Sequence, residues 1–425
     1  MAINPYVPMS TLSSQSVVVN YDKELRRNAI LRDIYTNLRA DPTVLNDDSR
    51  MAIPNGIYGT ISSKSLAGAN SVNVGLKMPL NGNILRGGAV AIGTEVAPVL
   101  RNGRIYRNNY RFVVQDEPGY GIDKLDAVPY DLYQEHVKDT GGHAAAEEGL
   151  EIRMAFLETY GWNLQAGATI ALCPAQWNRN FFIAGLTVAQ QPVFHPTWAT
   201  YTNRIVSAMN TAAGGDGKFT STESQMLKCT TMDQIAIFAL RRKLFPLDGK
   251  RPYFVLTVSE VTAAFYSNPR FADTSGDRWQ SVATMDGDKA QSWNGILGVF
   301  HSAVGVDIYV VVDERLPMLL PQGSAEPFGL GAFYVWPTEV ETRPLTNPRA
   351  RDACILHGKG GVVNWEAEKL HNIGWSWDYE QQRGYGYAGV RGIQQLQYDT
   401  VPVGATGATR EYHGSAIVVV ARYAL

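Results

Sequence analysis

Between residues 50 and 120 the chain is cut into short pieces by glycine turns. Pro54-Asn55-Gly56, Asn81-Gly82, Arg86-Gly87-Gly88 and Asn102-Gly103 punctuate it. Such steps mark turns and hairpins. Between them Val72, Val74 and Leu76 alternate, and Ile105, Phe112 and Val114 continue the pattern. These runs hold too few apolar side chains for a core of their own. An isolated two-stranded hairpin is marginal in water. The segment therefore predicts long hairpins that must lie on something else.

Composition says what that something is. At 425 residues the chain has room for two or three domains. Hydrophobic residues make up 45%, too many for a disordered chain. Lys and Arg number 38 against 40 Asp and Glu, so net charge does not draw the chain to nucleic acid. Charged residues are only 18%, below the roughly 25% usual in soluble domains. A monomer relies on charge to stay soluble, so much of this surface is expected to face other protein. Cys173, Cys229 and Cys354 are far apart and odd in number, which predicts buried free thiols rather than disulfides or a zinc site. The first twenty residues lack the pattern of a secretory signal. No apolar run approaches the ~20 residues that span a bilayer. The protein is expected to be cytosolic at synthesis.

The coarse elements are mixed. Lys23 to Arg39 reads as an amphipathic helix with Ile30, Leu31, Ile34, Tyr35 and Leu38 at helical spacing. Lys23, Arg26, Arg27, Arg32 and Arg39 make it basic, either a solvated face or an arm that contacts a neighbour or DNA. Residues 130–172 predict a long helix, with Gly141-Gly142 as a kink or break. Residues 173–230 are rich in Pro, Asn, Thr and Gly. Thr231 and Gln234 form a capping-box pattern opening a helix that ends in Arg241, Arg242 and Lys243. Strands follow at Tyr253–Thr257, Val306–Val312 and Gly329–Trp336, with a short helix near Glu260–Tyr266. From Arg351 onward the pattern is mostly strand. Helix and strand alternate irregularly and no repeat is visible, so the expected fold class is α+β.

No catalytic motif emerges. Gly384-Tyr385-Gly386-Tyr387-Ala388-Gly389 matches G-x-G-x-x-G but lacks the strand before it and the helix after it, so it reads as a turn, or as a strand with close backbone contacts. Gly214-Gly215-Asp216-Gly217-Lys218 lacks the Ser or Thr of a phosphate loop. The seven histidines are scattered. An enzyme would need convergence of distant groups such as Asp286, Asp288 and His301. Trp365, Trp375, Trp377, Tyr379, Tyr385 and Tyr387 read as core and interface, with a ligand- or glycan-binding cleft as the alternative. No cofactor and no metal is expected.

The order of parts resembles a known family. Arg251-Pro-Tyr-Phe-Val-Leu, Tyr266-Ser-Asn-Pro-Arg-Phe, Asn294-Gly-Ile-Leu-Gly-Val-Phe and Val304-Gly-Val-Asp-Ile-Tyr carry the likeness, with Gly329-Leu-Gly-Ala and Trp375–Gly392 after them. The chain resembles the major capsid proteins of tailed double-stranded-DNA bacteriophages, the Hong Kong-type capsid fold, in the branch of the N-four podovirus coat protein. The likeness implies an N-terminal arm over 1–50 and an extended hairpin loop region over 51–120. It implies a peripheral domain over 121–250 with a spine helix and an insertion at 175–230. An axial domain over 251–345 and C-terminal strands over 346–425 returning to the peripheral domain complete it. It implies a non-catalytic shell subunit forming pentamers and hexamers, with a separate scaffolding protein, a portal, a decoration protein and packaged DNA as partners. The location would be the virion capsid, assembled in the host cytoplasm. Arg86, Arg101, Arg104, Tyr106 and Arg107 are the candidates for contacts between subunits. Lys23, Arg26, Arg27, Arg32 and Arg39 are those for DNA-facing or arm contacts.

Overall fold

The computed structural model describes residues 43–44, 57–62, 71–77, 100–115, 132–157, 160–163, 168–171, 181–186, 227–260, 262–263, 278–281, 296–316, 318–320, 333–335, 351–377, 382–396, 398–399, 410–411 and 413–421. In chain order these form β1 (Thr43–Val44), β2 (Tyr58–Ser62), β3 (Ser71–Lys77), β4 (Leu100–Tyr106) and β5 (Asn108–Gln115), then helix α1 (Leu132–Leu157). Next come β6 (Tyr160–Asn163), β7 (Ala168–Ala171), β8 (Phe181–Ile183) and helix α2 (Cys229–Arg241). Then follow β9 (Tyr253–Val258), β10 (Trp279–Ser281), β11 (Ile296–His301), β12 (Asp307–Val312), β13 (Met318–Leu320) and β14 (Phe333–Val335). The last are β15 (Arg351–His357), β16 (Val362–Trp377), β17 (Gln382–Gln395), β18 (Tyr398–Asp399), β19 (Arg410–Glu411) and β20 (Ser415–Ala421).

Two sheets dominate. The larger has nine strands. Its centre is β12 parallel to β9, β9 antiparallel to β15, and β15 antiparallel to β20. The runs Tyr253-Phe-Val-Leu-Thr-Val and Asp307-Ile-Tyr-Val-Val-Val are apolar almost throughout, as strands covered on both faces must be. Alternation sorts their side chains. Phe254, Leu256, Val258, Ile308, Val310, Cys354, Leu356 and Val418 form one buried face with Met232, Ile235, Ala236 and Ala239 of α2. Thr257 and His357 look the other way, where His357 meets Phe156 of α1 edge to face at 4.4 Å.

The second sheet runs β1-β2-β16-β17-β5. Its spine is the long ribbon of β16 and β17, 16 and 14 residues. At ~3.3 Å per residue β16 extends roughly 50 Å. Register shifts between Glu366 and Glu368 and between Glu368 and His371 bend it. Gly384–Gly389 lies in β17 and pairs with β5, so this segment is strand. A Cβ on Gly386 would meet the Phe112 carbonyl at 2.1 Å, and one on Gly392 the Tyr106 carbonyl at 2.0 Å. Glycine is there because neighbouring backbone fills the side-chain space.

Several expectations need correction. The long helix runs unbroken through Gly141-Gly142. Glycine weakens a helix by only ~1 kcal/mol, and packing outweighs that: Gly141, Ala144 and Ala145 are all buried. The helix stops at Leu157 rather than near 172, because β6 and β7 pair across Tyr160–Ala171. Trp162, Thr169 and Ile170 favour strand there. The capping box at Thr231 does not form. The helix starts at Cys229 after Lys228, without a side-chain cap, and Thr231 is buried inside it. β2 and β5, from 51–120, join the five-stranded sheet, β8 pairs with β20, and 346–425 supplies strands to both large sheets.

Candidate assembly surfaces and the joints beneath them

Helix α1 has 26 residues and is about 39 Å long. Its two halves serve different sheets. The first half lies on β17 and β5. Phe112 stacks on His143 with centroids 3.9 Å apart, and His143 Nδ1 lies 2.9 Å from the Tyr387 hydroxyl. Ala144 packs on Tyr387, with Tyr110, Phe112 and Leu370 around it. Small residues on the helix let these rings approach.

One turn further on, Arg391 of β17 binds two carboxylates of the helix. Its Nη2 is 2.8 Å from Glu151 and its Nη1 donates to Glu148 at 3.3 Å. Its guanidinium also covers the Tyr110 ring at 4.2 Å. Burial pushes the Glu151 carboxyl above the ordinary range, and Arg391 pulls it partly back. Burial likewise raises the Tyr110 and Tyr387 phenols, again opposed by Arg391.

The second half is joined to the nine-stranded sheet. Arg153 donates from Nε and Nη2 to the two oxygens of Asp313, both at 2.8 Å. Both side chains are 2% exposed. This fork geometry is the strongest form of such a pair. Asp313 follows β12 and also accepts the Arg315 N–H at 3.1 Å. Beside it, burial and the nearby Arg153 charge hold His357 down at about 3, so it is neutral. Thus a single helix fixes the ribbon sheet relative to the nine-stranded sheet.

Two further carboxylates lock loops. Asp352 accepts from the hydroxyls of Ser259 and Thr262, tying the turn after β9 to β15. Asp233 of α2 takes Arg278 at 2.6 Å, the Ser302 hydroxyl at 2.9 Å and the Ala303 N–H at 3.2 Å. It thereby holds the turn between β11 and β12.

Of the residues expected between subunits, Arg101, Arg104 and Tyr106 lie on β4, and Arg107 links β4 to β5. Tyr106 and Arg107 are half-buried against the subunit itself. Val72, Val74 and Ile105 of the β3–β4 hairpin are buried. Arg86 and the five cations Lys23, Arg26, Arg27, Arg32 and Arg39 lie outside the described residues, as do Asp286 and Asp288. His301 pairs with Asp307 at 3.0 Å. Trp365 and Tyr387, proposed for a ligand cleft, are buried core residues. Cys229 and Cys354 are buried free thiols. Among the described residues no three His, Cys, Asp or Glu side chains converge on a metal position. None of their helices is long and apolar enough to cross a membrane. Arg391, Arg153 and Asp313 were not anticipated. The available signal was a lone arginine amid Ile152, Met154, Ala155 and Phe156, and an aspartate ending a valine run.

No family model and no curated protein matches the sequence. Solved structures do match. The capsid of Ralstonia phage GP4 aligns over 89% of this chain and 91% of its own, with TM-score 0.54 and 12% identity. The capsid of cyanophage Pam1 aligns over 92% and 93%, with TM-score 0.54 and 13% identity. The head structure of Helicobacter pylori bacteriophage KHP40 aligns over 92% and 91%, with TM-score 0.52 and 10% identity. The chain has a phage capsid fold. At these identities side chains have changed almost everywhere, so the shared object is the backbone scaffold. That scaffold is a capsid fold of mixed α and β, mostly sheet, in which α1 bridges two sheets.

Proposed function

We propose that this chain is a structural subunit that self-assembles into the icosahedral head shell of a tailed bacteriophage and encloses its DNA. The observation that carries the reading is the near full-length match to phage capsid structures, with TM-scores of 0.54 for two of them. The chemistry agrees. Glu148, Glu151, Asp233, Asp313 and Asp352 serve joints between elements, and the low charged fraction suits a surface covered by neighbours.

The finer assignment is also ours. α1 serves as the spine helix, the ribbon sheet as the peripheral domain, and the sheet around β9 and β12 as the axial domain at the five- and six-fold axes. The β3–β4 hairpin carries the extended loop at its far end, the connection 78–99. Residues 1–50 act as an arm on a neighbouring copy. A scaffolding protein, portal and decoration protein are the expected partners, with assembly in the host cytoplasm.

Electron microscopy of the expressed protein, alone and with its scaffolding partner, tests this. Closed shells or hexameric and pentameric rings are expected. Monodisperse monomer under all conditions overturns it.

A further inference from the structure

Arg241, Arg242 and Lys243 form the only run of three consecutive cations in the chain. They close α2, whose buried face is fixed in the nine-stranded core. The closing turn is well defined. The Leu244 N–H donates to the Ala239 carbonyl and the Lys243 N–H to the Leu240 carbonyl, each at 3.0 Å. This is the double bond pattern of a Schellman cap, with Lys243 at the left-handed position. Lys243 has φ +55, and it is the one non-glycine with positive φ among the described residues.

Glycine is the residue that this position favours. A lysine there keeps an exposed charge against the local backbone preference. Arg241 is exposed as well, while Arg242 lies half-buried over the Phe238 ring. Among the described residues no carboxylate pairs with Arg241 or Lys243. The helix dipole favours cations in the last turn, but it does not call for one in a strained conformation beyond it.

The chain as a whole is nearly neutral, so attraction to a polyanion must be local. We propose that Arg241 and Lys243 contact the phosphate backbone of packaged double-stranded DNA, and so mark a surface that faces the interior of the shell. This rests on the head-shell reading. Contacts to phosphate carry no base information, so binding is expected to be independent of sequence.

The test uses the full-length soluble subunit and a labelled mixed-sequence DNA duplex, titrated over a series of NaCl concentrations. Each phosphate contact adds about 0.9 to the slope of log K against log salt. Arg241→Gln with Lys243→Gln should flatten the slope by about two. Lys243→Gly should flatten it by about one while leaving the melting temperature equal or higher. A cap that is only structural would not weaken DNA binding when glycine replaces lysine. Unchanged slopes in both variants overturn the proposal. So does loss of shell formation in the double variant with an unchanged slope, which would make the patch a protein contact. Failure of the wild type to form shells would instead overturn the head-shell reading and leave the slopes to be read separately.

Discussion

At the scale of single residues, the buried charges set the sharpest expectations. Arg153 and Asp313 satisfy each other through two bonds and are nearly inaccessible. Removing one partner strands the other charge, at a cost of about 3–5 kcal/mol. Asp313→Ala should show that loss in urea unfolding. Replacing both by leucine should be milder than either single change, and a double variant as unstable as Asp313→Ala would refute the pairing. His357 gives a pH dependence. Its folded value is about 3 against an ordinary 6.5. Below pH 6.5 the unfolded chain takes a proton that the folded chain refuses. Stability therefore falls as pH drops from 6.5 toward 3, at up to about 1.4 kcal/mol per unit. Glu151 acts oppositely: its raised carboxyl gives stability that is present in acid and lost as pH rises through its folded value. Unfolding of wild type and His357→Gln, followed from neutral to acid, should give curves that converge. Parallel curves would show that His357 is not buried neutral.

At the scale of elements, glycine spacing decides how strands approach. Gly392 faces the Tyr106 carbonyl, and backbone yields far less easily than a side chain. Gly392→Ala should destabilise by roughly 1–3 kcal/mol, the usual range for overpacking. Gly305 lies in open space but at φ +85, so asparagine there meets backbone strain alone and should cost less, about 1 kcal/mol. Equal thermal melts for the two variants would mean that β4 moves freely. The same logic explains what was legible in the chain. Continuous apolar runs announced β9 and β12, whereas the aromatic-glycine alternation fitted a turn as well as the tightly packed β17 that forms. Local propensity alone predicts a break at Gly141-Gly142, but packing on the sheet beneath the helix outweighs it. The joints at Arg391 and Arg153 were invisible because each pairs residues more than 150 positions apart.

At the scale of the whole molecule, the hairpin finds a partner within the subunit itself. Its base is part of the subunit: Val72, Val74 and Ile105 are buried, and β5 continues directly into eight pairings with β17. A deletion of residues 80–110 would therefore remove β4 and the start of β5, and should unfold the chain. The connection 78–99 is different. It joins Lys77 and Leu100, which pair with each other at the end of β3 and β4. A two-residue Asn-Gly turn can close such an antiparallel pair. Replacing 78–99 by that turn should leave circular dichroism and the melting temperature close to wild type. If the connection reaches a neighbouring copy, shells should no longer form, since an interface of standard size buries about 1,600 Å² and its loss is not made good elsewhere. Normal shells from this variant would confine all inter-subunit contact to other surfaces, and an unfolded variant would make the connection part of the core.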